Sequence, residues 1–234
     1  MHTGLLILFG ESFRLGGQGT RNRGSKQSHE EQIKAAKSHI NFISSLKNKN
    51  INMIVSINSY TTHYDKDLTD IYKGLLYDSI FYTNLLGVNA LINNCINRVK
   101  NITSYDFILC MRIDIFLKDK FMEIFKPDQY KILFPSICFE PHHKIGIHPR
   151  VNDLMMYIPK RYIIFFKQNS IDLFHDTWYK LVTYYNFNYE QLDTMLNTYH
   201  DSDSAKDYNP IYYIVNRPET NIHTTTKIFD KYNF

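Results

Sequence analysis

Apolar residues in this chain fall into short runs, and stretches of helical period separate the runs. Residues 5–9 (LLILF), 51–57, 107–111, 131–134, 154–158 and 211–215 each read as a strand, and the unbroken apolar ones read as strands covered on both faces. Between the first two, Ser28 and Glu31 have capping-box spacing, and Ile33, Ala36, Ile40, Ile43 and Leu46 mark one face of a helix. Leu68, Ile71 and Tyr72 predict a short helix, and Leu85, Val88, Ile92, Cys95 and Val99 a longer one leading into residues 107–111. The order strand, helix, strand, helix, strand predicts parallel strands with helices on both faces.

The pattern is less regular after Lys118. Pro127 and Asp128 read as a turn, residues 136–150 as a loop, and Asn169 or Ser170 as the cap of a helix through Leu173, Trp178 and Leu181. Residues 190–196 read as another helix, residues 200–210 as a polar loop, and the tail beyond Pro218 as polar.

A length of 234 residues with 44% hydrophobic composition suits a single domain with a substantial core. The net charge of +4 is too mild to argue for nucleic acid and suits an anionic small molecule equally well. The three cysteines, Cys95, Cys110 and Cys138, have neither zinc-motif spacing nor an even count, so a reducing, cytoplasmic setting is expected. No apolar run is long enough to span a bilayer, and residues 5–9 are too short for a signal peptide.

The candidate chemistry gathers at strand ends. Residues 104–118 (SYDFILCMRIDIFLK) break from apolar to charged at Arg112 and Asp114, where an open α/β sheet meets its ligand. The alternative is an ion pair that finishes the strand. The loop after the first strand carries Gly10, Gly16 and Gly17 with Arg14, Arg21 and Arg23, suited to backbone approach and guanidinium contact with phosphate, although its spacing matches neither standard phosphate loop. A solvent-exposed loop is the other reading. Asn58 and Ser59 open the polar stretch after the second strand, and Asp153, before the 154–158 run, is a candidate general base or an ordinary turn residue. His142, His143 and His148 match no zinc motif and read as surface or substrate-contacting residues.

The segments LILFGESFRLGGQ, VSINSY, FILCMRIDIFLK and NDLMMYIPKRY, in that order, resemble the GT-A class of glycosyltransferases and look most similar to the small glycosyltransferase-like proteins of large DNA viruses of algae and protists. The resemblance implies a single GT-A-like, Rossmann-like α/β domain with a mixed, mostly parallel sheet flanked by helices. Residues 1–118 would be its nucleotide-binding half and 119–234 its acceptor-binding half. It also implies a nucleoside diphosphate-sugar donor, a glycan acceptor and Mn²⁺ or Mg²⁺ on the diphosphate. The family's Asp-x-Asp falls on Arg112, Ile113 and Asp114, so one carboxylate of the motif is present and metal dependence stays open. Asp114 and a C-terminal histidine, His223 or else His200, would hold the ion. Asp153, or else Asp201 or Asp203, would be the base. Gly10, Arg14, Gly16, Gly17, Arg21, Arg23, Asn58, Ser59 and Arg112 would contact the donor. A non-catalytic nucleotide-sugar or glycan binder and a nucleic-acid-binding protein remain alternatives.

Overall fold

The computed structural model describes residues 2–15, 22–84, 86–138, 150–151, 154–169, 187–197 and 209–215. In chain order these form β1 (His2–Phe9), β2 (Arg14–Leu15), β3 (Asn22–Arg23), α1 (Lys26–Lys47), β4 (Ile51–Tyr60), α2 (Asp65–Ile71), β5 (Leu76–Tyr82), α3 (Val88–Arg98), β6 (Phe107–Arg112), β7 (Ile115–Leu117), α4 (Asp119–Ile124), β8 (Ile132–Cys138), β9 (Arg150–Val151), β10 (Met155–Pro159), α5 (Lys160–Gln168), β11 (Tyr189–Asn197) and β12 (Tyr212–Ile214).

One eight-stranded sheet runs β11-β8-β10-β6-β1-β4-β5, with β9 paired to β8 off that path. Strand β1 lies at the centre, parallel to β4 on one side and to β6 on the other. Strand β10 runs antiparallel to both β6 and β8, so the sheet is mixed but mostly parallel. Alternation along β1 sends Leu6 and Leu8 into one core with Phe42 and Leu46 of α1, Leu68 of α2 and Phe121 of α4. Leu5, Ile7 and Phe9 enter the other, with Leu91 and Ile92 of α3 and Ile163 and Phe166 of α5. Both faces are therefore dry, which is why these strands read as unbroken apolar runs.

Several expectations need correction. Helix α1 begins before Ser28: Ser25 is the N-cap, its Oγ accepting from the Ser28 N–H at 3.1 Å, while Ser28 is buried in the first turn. Strand β4 continues through Asn58 and Ser59, so these belong to a strand end rather than a turn. Strand β5 went unrecognised because its half-covered edge position imposes no strong apolar pattern. Residues 190–196 lie in a strand, since pairing with β8 overrides their helical period. Helix α5 starts after Pro159 and has Asn169 as its C-cap, and Ser170 lies outside the described residues. Leu173, Trp178 and Leu181 lie outside the described residues. No helix among the described residues is long and apolar enough to cross a membrane.

Candidate functional site

The chain leaves β1 through α1 to β4, moves outward to β5, and then returns through α3 to β6 on the far side of β1. Strand order thus reverses between β1 and β6, with α1 on one face and α3 on the other. At such a reversal the connections after two adjacent strands diverge and open a crevice at their carboxyl ends. Phe9 is paired with Arg112 at that position, so the crevice lies between the Gly10 loop and the turn at Arg112–Asp114. Gly10 has φ +106°, and a Cβ there would meet nothing within 4 Å, so its backbone borders open space.

The turn is held firmly. Arg112 N–H donates to the Leu154 carbonyl at 2.9 Å, Ile113 N–H to Phe9 O at 2.8 Å, and Val215 N–H to Asp114 O at 2.9 Å. The Arg112 guanidinium grips Asp114 with two bonds, Nε to Oδ1 at 2.9 Å and Nη2 to Oδ2 at 2.5 Å. Their side chains are 13% and 3% exposed, so the guanidinium is the more accessible member. Gln32 of α1 ties the turn to the first loop, donating to Ile113 O at 2.7 Å and accepting from Phe13 N–H at 3.2 Å. Ser59 adds a second tie: its hydroxyl donates to Gly10 O at 2.7 Å and accepts from Ser12 N–H at 3.0 Å.

Asn58 points to the opposite face from Ser59. There its Oδ1 accepts from Arg98 Nη2 at 3.1 Å, while Arg98 Nε binds Asp78 Oδ2 at 2.7 Å. Ser56 donates to Asp78 and accepts from the Cys95 thiol at 3.1 Å, and burial pushes that thiol's pKa up to about 11, so it stays protonated. This network is internal and fixes β4 against β5 and α3. Arg14 is also largely buried, its Nε 3.6 Å from Glu11 Oε2, and Arg23 lies opposite it in the β2–β3 ladder.

Of the residues read from sequence, Gly10, Ser59, Arg112 and Asp114 gather at the reversal, whereas Asn58 and Arg14 are engaged inside the protein. Gly16, Gly17, Arg21, Asp153 and His223 lie outside the described residues, as do His142, His143, His148, His200, Asp201 and Asp203. Gln32, Ser12 and Glu11 escaped sequence reasoning. A buried polar position within the α1 face was the only signal for Gln32, which is 1% exposed. Asp114 offers a divalent ion one carboxylate, both of whose oxygens already accept from Arg112, and among the described residues no three His, Cys, Asp or Glu side chains converge. As placed, this donor set does not fit Mn²⁺ or Mg²⁺ unless the pair parts.

The sheet order and the reversal define a Rossmann-like fold of the GT-A type. One structural likeness that reaches a TM-score of 0.50 shares this fold. The catalytic domain of Drosophila β1,4-galactosyltransferase 7, in complex with xylobiose, superimposes with a TM-score of 0.50 at 11% identity, over 99% of this chain and 80% of that one. A mutant of the same enzyme with manganese, UDP-Gal and xylobiose gives 0.48 at 11% identity, over 97% and 79%. A glycosyltransferase involved in glycosylation of the major capsid of PBCV-1 gives 0.44 at 9%, over 92% and 94%. No protein-family model matches the sequence, and no curated protein is significantly similar to it. Identities this low speak to the fold.

Proposed function

We propose that the chain is a glycosyltransferase that moves one sugar from a nucleoside diphosphate-sugar donor to a glycan hydroxyl. The observation that carries this reading is the Arg112 guanidinium at the β1/β6 reversal, beside a glycine whose missing side chain leaves room for a diphosphate. Transfer breaks the bond between the anomeric carbon and the diphosphate oxygen and forms one to the acceptor oxygen. Negative charge grows on the departing diphosphate, and a guanidinium held in place by Asp114 meets it without reorganising. Asp153, which precedes the Leu154 carbonyl bound by Arg112 N–H, is the proposed acceptor of the hydroxyl proton. If the Arg112–Asp114 pair parts, Asp114 and His223 are the proposed cation ligands, and the ion would add charge neutralisation at the diphosphate.

A specific observation favours a second reading, a non-catalytic nucleotide-sugar binder: the one carboxylate of the acidic motif is buried and neutralised by its neighbour.

The test pairs thermal shift with turnover, using nucleoside diphosphates and nucleotide sugars in Mn²⁺ and in EDTA. A donor at 100 times its Kd is expected to add about 2.7 kcal/mol to stability, a rise of several degrees in melting temperature. A shift with glycosyl transfer supports the enzyme, and a shift without transfer or donor hydrolysis supports the binder. If no nucleotide sugar shifts the melt in either buffer, both readings fall. Transfer that survives EDTA assigns charge neutralisation to Arg112, and transfer lost in EDTA assigns it to a bound cation.

A further inference from the structure

A second cavity, of about 700 Å³, opens at the other edge of the sheet, where β1, β4 and β6 begin; His2, Asp106, Gln129, Tyr130, Lys160 and Arg161 lie on its wall. It is separate from the Arg112 crevice, which lies at the strands' carboxyl ends. The Arg161 guanidinium lies over two tyrosine rings, its central carbon 5.5 Å from the Tyr130 ring centroid and 5.3 Å from that of Tyr162. Among the described residues Arg161 forms no ion pair with a carboxylate, whereas its neighbour Lys160 lies 3.5 Å from Asp106. A guanidinium held over aromatic faces and paired with no carboxylate keeps N–H donors for a ligand, and its planar fork suits bidentate contact with an oxyanion.

Tyr130 stands in a prepared position. The Asp128 carboxylate accepts from Tyr130 N–H at 2.6 Å and from Lys131 N–H at 2.7 Å, fixing the turn, yet the side chain is left 61% exposed. An aromatic side chain held open at a cavity rim costs solvation and offers an apolar face, which pyranose rings use for stacking. Asp106 completes the wall. Its Oδ2 accepts from Thr3 N–H at 2.9 Å, and that bond holds the carboxyl below its ordinary pKa, so it is charged and able to accept from hydroxyls. The volume is in the range of small-ligand sites.

We propose that this cavity binds a sugar ring that carries an oxyanion, either a carboxylate or a phosphate. The Arg161 fork takes the oxyanion, Tyr130 faces the ring, and Gln129 and Asp106 bind hydroxyls. The site is distinct from the transfer crevice and stands whether or not transfer is found there.

Isothermal titration of the full chain with glucuronate, glucose 6-phosphate, glucose and inorganic phosphate tests it. One or both of the first two are expected to bind, with glucose and phosphate each weaker by about tenfold or more. Which of the two binds identifies the oxyanion. Arg161→Gln and Tyr130→Ala, both at exposed side chains and checked for unchanged melting temperature, are expected to weaken binding about tenfold, while saturating UDP leaves it unaltered. The proposal is overturned if neither charged sugar binds at millimolar concentration. It is equally overturned if glucose or phosphate alone binds as tightly, or if Arg161→Gln binds like the parent.

Discussion

Arg112 closes β6 and Asp114 sits in the turn two residues on, where the two side chains pair. Their pairing changes what a substitution at Asp114 does. Asp114→Asn removes the charge opposite a guanidinium that is 13% exposed, and it is expected to cost about 3 kcal/mol of stability, read as a lower urea midpoint at unchanged slope. Arg112→Met combined with Asp114→Leu is expected to recover most of that loss, because it leaves no charge buried without a partner. A fall in turnover for Asp114→Asn therefore has to be corrected for the folded fraction.

His39 is the residue that couples the site's supports to pH. It is fully buried, and since the Ile115 carbonyl can only accept, Nε2–H donates to it at 2.6 Å while Nδ1 accepts from the Tyr72 hydroxyl at 2.7 Å. Burial lowers its pKa from 6.5 to about 4. The unfolded chain therefore takes up a proton below pH 6.5 that the native state refuses until about pH 4. The stability contributed by the neutral ring is complete above pH 6.5 and drains as pH falls, by about 3 kcal/mol at the lower limit. Denaturant melts from pH 7 to 4 are expected to show this slope in the parent chain and its absence in His39→Gln.

At the scale of elements, β1 shows how one small residue permits a central strand to be covered. Gly4 sits under Phe107: a Cβ there would lie 2.3 Å from the Phe107 ring and 2.5 Å from Met53 Sδ. Gly4→Ala is expected to destabilise the fold by about 1–3 kcal/mol, measured by thermal or urea melts, since the buried Phe107 ring has to shift even though the flexible Met53 side chain can turn aside. Coverage on both faces decides which strands show in the amino-acid pattern. Strands β1, β4, β6 and β10 are covered on both faces and announce themselves as apolar runs. Edge strand β5 is not, and the assignment of both β5 and β11 rests on partners distant in the chain. Helix α1 was legible, but its start was not, because Ser25 and Ser28 offer the same chemistry and only the folded turn shows which one caps.

For the molecule as a whole, the candidate site is a consequence of chain path. The reversal between β1 and β6 brings Gly10, Ser59 and the Arg112–Asp114 turn together from separate strands, and Gln32 and Ser59 brace the join. The cavity near Arg161 likewise draws on β1, β6, the Asp128 turn and α5.

Local pattern alone determined the fold class, the central strands, and the presence of a charged pair where the most apolar strand ends. Those are properties of neighbouring residues: a run of side chains that water excludes, and a spacing that a strand translates into a face. Tertiary structure alone decided that Asp114 is spent on Arg112, that Asn58 and Arg14 turn inward, and that a glutamine on the first helix bridges two loops. Each depends on which distant group fills a buried atom's hydrogen bonds, and a buried polar atom takes its partner from whatever the fold brings beside it.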